Sequence, residues 1–112
     1  MPKPTTRTYS RRAREAAELL GLTIRNARID RRMTVEEVAE RAGISRGLVH
    51  RIEGGDMGCG IGAAFEVAAI VGAPLFEAEP SRLAPHIATA RDRLALLPKA
   101  VRARTRAVKD DF

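Results

Sequence analysis

The chain has 112 residues and a formal net charge of +6, with no tryptophan, one tyrosine and three phenylalanines. That length suits one small domain with some extra chain. A core so poor in aromatics has to be aliphatic and alanine-rich, which favours small packed helices. A single cysteine, Cys59, excludes an intramolecular disulfide and reads as a small buried apolar residue. Met1–Arg14 lacks the apolar core of a signal peptide, and no apolar run approaches transmembrane length. The expectation is a reduced chain in the cytoplasm that touches no membrane.

The charge is segregated. Residues 1–32 carry nine basic and three acidic side chains, residues 54–80 carry four acidic and no basic ones, and residues 81–112 carry eight basic and three acidic. Charge spread for solubility would explain the basic total but not this division, which suits a polyanionic partner. Three segments follow: a basic N-terminal arm over residues 1–10, a helical domain over 11–80, and a C-terminal helix with a basic tail over 81–112.

The arm, Met1 to about Ser10, holds two prolines, three threonines and two cations, with almost nothing to bury, and is expected to be disordered. It is either an untidy terminus or an arm that reaches a phosphate or a minor groove. A helix is predicted from about Arg11 to Arg32, with Leu20, Ile24 and Ala27 as its inward stripe and Arg28 on the core edge of that stripe. Arg25, Arg31 and Arg32 read as solvated.

Met33 to Gly55 predicts two short helices around a tight turn. Thr34 is a helix N-cap with Glu37 three residues on, a capping box. Val35, Val38, Ala39 and Ala42 then mark one apolar face. Gly43 ends that helix, because glycine alone enters the left-handed C-cap conformation without steric cost. Ser45 opens a second helix that buries Val49 and Ile52 and turns Arg46, Gly47, His50 and Arg51 outward. Helix, glycine turn, and helix with a basic outer face is the layout of a helix-turn-helix, whose second helix enters the DNA major groove.

A fourth helix, about Ile61 to Val71, is expected to turn Ile61, Ala64, Phe65, Ala68 and Val71 inward, with Gly72 as its cap. Val67 and Ile70 fall off that stripe, and a second greasy face calls for a cover. Together with Phe76 they form a candidate dimer or partner surface, unless a tail of the same chain lies over them. A short fifth helix is expected to start at Pro74–Phe76. Further on, Leu83, Ile87, Ala90, Leu94 and Leu97 are spaced as a heptad seam of two heptads, with Pro85 in the first turn and Pro98 as the stop. So short a seam needs its own domain, a twin subunit or a partner to pack on, so Leu83, Ile87, Leu94 and Leu97 join the candidate surface. Lys99 to Phe112 is basic, weakly apolar and expected to be disordered in isolation.

From Leu20 to Phe76, about half the chain, the sequence resembles the Cro/Xre helix-turn-helix family. The resemblance rests on LGLTIRNAR, TVEEVAERAGIS, VHRIEGG and AAFEVAAIVGAPLF, in matching order. It implies an all-α, five-helix, lambda-repressor-like domain, here with an extra C-terminal helix and tail. The spacing after Glu53, the phrase VGAPLF and the ending LLPKAVRARTRAVKDDF resemble HipB-type antitoxins, small repressors encoded beside a HipA-type kinase toxin.

By that resemblance, Arg46, Gly47, Leu48 and Arg51 stand at base-facing positions, with His50 close enough for a phosphate or a base. Arginine's fork spans O6 and N7 of guanine, and Leu48 suits a thymine methyl. Thr34 and Ser45 are phosphate donors at the positive ends of their helices. Arg28 is implied to pair with Glu53 at the end of the recognition helix, a structural anchor rather than a reading contact.

Three departures from the family stand out. Val35 replaces a frequent glutamine, Gly47 brings no side chain to a reading position, and the loop GGDMGCGIG offers Asp56 but no cation. Modest affinity per half-site then calls for a homodimer on an inverted repeat of double-stranded DNA.

Enzyme chemistry is not expected. His50 and His86 have no companions at metal spacing. The phrase Gly58, Gly60, Gly62 has no strand before it and no lysine after it. No catalytic triad order and no cofactor motif appear. The leading expectation is a sequence-specific transcriptional repressor, nucleoid-associated when bound to DNA, that serves as the antitoxin of a HipA-like kinase and autoregulates its operon. The alternatives are an autonomous Xre-type regulator without a toxin partner, and a protein-interaction adaptor that no longer binds DNA.

Overall fold

Ser10 starts the first helix: its Oγ accepts the N–H of Ala13 at 3.1 Å, satisfying one of the donors that a helix leaves open at its N-terminus. In the computed structural model, which describes residues 8–76, 82–101 and 103, this helix is α1, Arg11–Asp30. After it come α2 (Val35–Ala42), α3 (Arg46–Glu53), α4 (Ile61–Val71) and α5 (Leu83–Ala95). The chain is all-α among the described residues and divides into two compact units, Met1–Pro80 and Ser81–Phe112.

In the first unit, α1 and α2 each pack on both α3 and α4. Ile24, Val38, Val49, Val67 and Val71 are its largest fully buried side chains, filled out by Ile52 and the alanines 39, 64, 68 and 73. Cys59 is half-buried beside that core. No aromatic ring is buried among the described residues, so the aliphatic, alanine-rich composition is itself the core. Such short side chains let helices approach closely. At Gly21, a buried position of α1, a side chain would collide with the backbone at the end of α3.

Four helices, α1 to α4, end by one device. Met33 N–H bonds to Arg28 O at 3.0 Å, Ile44 N–H to Ala39 O at 3.0 Å, Asp56 N–H to Arg51 O at 3.0 Å, and Ala73 N–H to Ala68 O at 2.9 Å. In each case the residue before the donor is left-handed: Arg32 at φ 56, Gly43 at φ 69, Gly55 at φ 78, Gly72 at φ 70. This is the Schellman closure, which satisfies carbonyls that the helix end leaves open. Glycine takes it without a Cβ clash; arginine does not, so the turn at Arg32 is strained. That closure stops α1 at Asp30, short of the expected Arg32. Arg31, exposed as expected, lies with its guanidinium over Gly72, where the C-terminal end of α4 is electronegative.

The facing of α4 differs from expectation. Its buried residues are Ala64, Val67, Ala68 and Val71, a complete i, i+3, i+4, i+7 stripe. Val67, expected on the partner surface, is 0% exposed, and Ile61, expected inward, is 73% exposed. Phe65 and Ile70 are half-buried. The helix is apolar around most of its circumference, so α1 and α2, which pack against it, decide which stripe is inward. The short helix expected from Pro74 does not begin there either: Phe76 turns at φ 54, and residues 77–81 lie outside the described residues.

The second unit contains α5, with Pro85 in its first turn, where a missing N–H costs nothing. Thr89 Oγ1 donates to Pro85 O at 3.1 Å. The helix ends at Ala95, so Leu97 of the expected seam lies just past it. No residue of α5 is buried. No helix among the described residues is long and apolar enough to cross a membrane.

Candidate nucleic-acid interface

The helix-turn-helix is assembled by local hydrogen bonds at its two starts. Thr34 Oγ1 accepts the Glu37 N–H at 3.0 Å while Glu37 Oε1 accepts the Thr34 N–H at 3.1 Å, closing the capping box. These bonds hold the Glu37 carboxyl below the usual carboxylate range. Ser45 Oγ accepts the Leu48 N–H at 3.0 Å and starts α3. Both hydroxyls act as acceptors here, so each keeps its own proton to donate outward.

The inner side of α3 is Val49, Ile52 and Glu53, all buried. Helical periodicity therefore presents Arg46, Gly47, His50 and Arg51 to the outside, and all four are exposed. Leu48 is half-buried and packs against the core, so part of this candidate reading residue is committed to the fold. Arg46 and His50 make no hydrogen bond or ion pair among the described residues. Gly47 leaves open ground between them: a Cβ there would meet nothing closer than Ser45 Oγ at 3.8 Å.

Glu53 faces inward and meets Arg28 from α1. Arg28 Nε donates to Oε2 at 2.6 Å and Nη2 to Oε1 at 3.0 Å, a two-pronged pair with side-chain exposures of 12% and 5%. Nη1 donates to Met33 O at 2.9 Å, which ties the α1–α2 turn to the same guanidinium. The bond to Glu53 raises the Arg28 pKa above its ordinary value, against the opposing effect of burial. Through this pair α1 sets the position of the last turn of α3.

One contact that sequence reasoning missed lies on the outer face. Arg51 Nε donates to Asp56 Oδ2 at 2.9 Å, and the Gly58 N–H donates to Asp56 Oδ1 at 2.6 Å. The hydrogen bond to Asp56 raises the Arg51 pKa; Arg51, then the Gly58 N–H, holds the Asp56 carboxyl below the usual carboxylate range. The available signal was an acid five residues after a base across Gly54–Gly55, a spacing that belongs to no regular period.

Of the candidate partner residues, Phe76 is 78% exposed and stands edge-on to Phe65, with ring centroids 6.2 Å apart. Ile87, Leu94 and Leu97 are exposed, and Leu83 is half-buried. The expected N-terminal arm is described only over residues 8–10 and the basic tail only over 99–101 and 103; the rest of both lies outside the described residues. Among the described residues, no three His, Cys, Asp or Glu side chains gather as a metal-holding group.

No curated protein and no solved structure matches this chain. Residues 11–77, which span the capping box, the glycine turn, α3 and α4, match the family described as the helix-turn-helix domain. That match covers more than half of the 112 residues, and the chain belongs to this family of DNA-binding domains.

Proposed function

We propose that the chain is a sequence-specific transcriptional repressor that binds double-stranded DNA as a homodimer on an inverted repeat, and that it is the antitoxin of a HipA-type kinase. The observation that carries the DNA reading is the division of α3. Val49, Ile52 and Glu53 fix its back in the core, while Arg46, Gly47, His50 and Arg51 stand exposed on its front. A recognition helix needs that division, a rigid back and a basic front. Arg46 reads a guanine edge, and the Thr34 and Ser45 hydroxyls donate to phosphates at the positive ends of α2 and α3.

A second copy and a kinase both need surface to dock on. Apolar side chains left outside support this reading: Leu19, Leu22 and Phe76 in the first unit, and Ile87 and Leu94 in the second. The antitoxin assignment itself rests on the resemblance of VGAPLF and LLPKAVRARTRAVKDDF to HipB-type chains.

The test is selection from a pool of randomised duplexes on the full-length chain, followed by titration of the recovered sequence at several salt concentrations. The expected result is one motif, recovered as an inverted repeat, whose affinity falls linearly with salt on a double-logarithmic plot. Recovery of no motif overturns the DNA reading. Pull-down from the native host after nuclease treatment tests the rest: a stoichiometric kinase-like partner supports the antitoxin, and recovery of the chain with itself alone makes it an autonomous repressor.

A further inference from the structure

Arg51 and Asp56 form an ion pair on the side of α3 that the proposed function turns toward DNA. At first sight the pair works against binding. Asp56 neutralises one of the cations on the reading face, and its own charge repels any phosphate brought near it. The loop from Gly54 to Gly60 has no lysine or arginine to compensate. An arginine meant for the sugar-phosphate backbone would be poorly served by such a neighbour.

A guanine edge is a different target. Its O6 and N7 are neutral acceptors, and a carboxylate behind the guanidinium repels them far less than it repels a phosphate. The geometry suits that target. Arg51 engages Asp56 through Nε, and its two Nη groups make no hydrogen bond among the described residues. The edge of the fork formed by the two Nη groups therefore remains available as a bidentate donor pair, the arrangement that matches guanine O6 and N7. Asp56 is itself held from behind by the Gly58 N–H. The side chain of Arg51 is thus ordered before DNA arrives, which lowers the entropy lost on binding. Gly47, one turn before Arg51 on the same face, adds no side chain that would hold a base edge away.

We propose that Asp56 is a positioning residue for base recognition: it orients Arg51 as a second guanine reader on α3 and bars it from serving as a phosphate contact. The inference rests on the DNA-binding reading above and adds a specific reader to it. Asp56 acts through Arg51 and does not touch the base.

The test uses the full-length chain and the duplex recovered by selection, with 7-deazaguanine, which lacks N7, placed at each guanine in turn. For the wild type, one or more guanines outside the Arg46 contact should be sensitive, each by roughly tenfold in affinity. Asp56→Asn retains an oxygen to accept from Gly58 but loses the charge that holds Arg51. It should become indifferent at those guanines, remain sensitive at those read by Arg46, and bind random-sequence duplex at least as tightly as wild type. Arg51→Met, which keeps most of the side-chain length but has no donor, should show the same indifference. In Arg51→Met, adding Asp56→Asn should change the guanine profile no further.

An unchanged guanine profile in Asp56→Asn overturns the proposal. So does a uniform loss at every position accompanied by a lower Tm, which marks a merely structural residue. Should Asp56→Asn fail to fold, NMR of the DNA-free wild type decides: a slowly exchanging Arg51 Nε–H supports the pairing, and fast exchange overturns it. A wild type that selects no sequence at all is a failure of the DNA reading itself, separate from a wild type that selects a sequence Asp56 does not influence.

Discussion

Gly21 of α1 lies directly against the main chain at Glu53, the last residue of α3. A Cβ on Gly21 would fall 2.5 Å from the Glu53 carbonyl oxygen and 2.7 Å from that of Ile52. Both obstructing atoms are backbone, so no rotamer change relieves the clash; α1 and α3 have to separate. Gly21→Ala is therefore expected to destabilise the fold by roughly 1–3 kcal/mol, the range for overpacking a tight core. Gly62, near the start of α4, is the control, because a Cβ there meets nothing within 4 Å. Gly62→Ala should gain up to about 1 kcal/mol from helix propensity. Thermal melts of the two variants check the contrast, and equal shifts would mean that α1 and α3 are not in backbone contact.

The same stretch of α3 is anchored a second time, through side chains. Arg28 and Glu53 are almost wholly withdrawn from water and joined by two hydrogen bonds. Removing one partner strands the other as a buried charge, so Glu53→Ala should cost roughly 3–5 kcal/mol. In a domain of this size that lowers Tm by about 15 °C or more. Replacing both residues with leucine should cost clearly less than either single change, since an apolar pair leaves no charge stranded. A double variant at least as unstable as Glu53→Ala would place the anchor in something other than the ion pair. The Met33 carbonyl, which Arg28 also serves, is the partner to examine in that case.

Among the described residues, Arg32 is the one position where a helix of the first unit closes through a left-handed residue that is not glycine. Its side chain is exposed, so the residue is not needed by the core. A left-handed L-residue costs roughly 1–2 kcal/mol, which glycine avoids, while glycine's freer unfolded chain takes back part of the gain. Arg32→Gly should raise stability by up to about 1 kcal/mol, and Arg32→Val, which is β-branched, should lower it. Both are read from urea midpoints at constant m. A destabilised glycine variant would show that the arginine side chain itself supports the turn.

The features legible in the sequence are those whose chemistry is completed within a few residues. Thr34 and Glu37 cap each other, Gly43 turns the chain, Ser45 starts α3, and the alternation of Val49 and Ile52 with Arg46 and His50 fixes which side of α3 is buried. Those positions define the outline of the candidate site. The facing of α4 is different, because a helix of alanine, valine and isoleucine has no polar side to declare. Packing against α1 and α2 turned Val67 in and Ile61 out. Gly21 sits inside a helical stretch, and nothing in its local sequence marks the α3 backbone it packs against. Arg32 carries no stop signal of its own. The Arg51–Asp56 pair spans a turn through Gly54 and Gly55, where neither helical nor strand periodicity applies.

Arg46 occupies the first position of α3, next to the Ser45 cap, and its guanidinium has no hydrogen-bond or ion-pair partner among the described residues. A bidentate contact with guanine at this place would discriminate against other bases by roughly 1–3 kcal/mol, about 5- to 150-fold. A phosphate contact would contribute affinity on every sequence alike and steepen the salt dependence. The two roles separate in one experiment. Arg46→Ala should weaken binding to the selected duplex far more than to a scrambled duplex of the same composition, with Tm unchanged because the side chain is exposed. Equal weakening on both duplexes, together with a shallower salt slope, would make Arg46 a backbone contact. Indifference on both would remove α3 from the interface and favour a helix-turn-helix that serves protein partners instead.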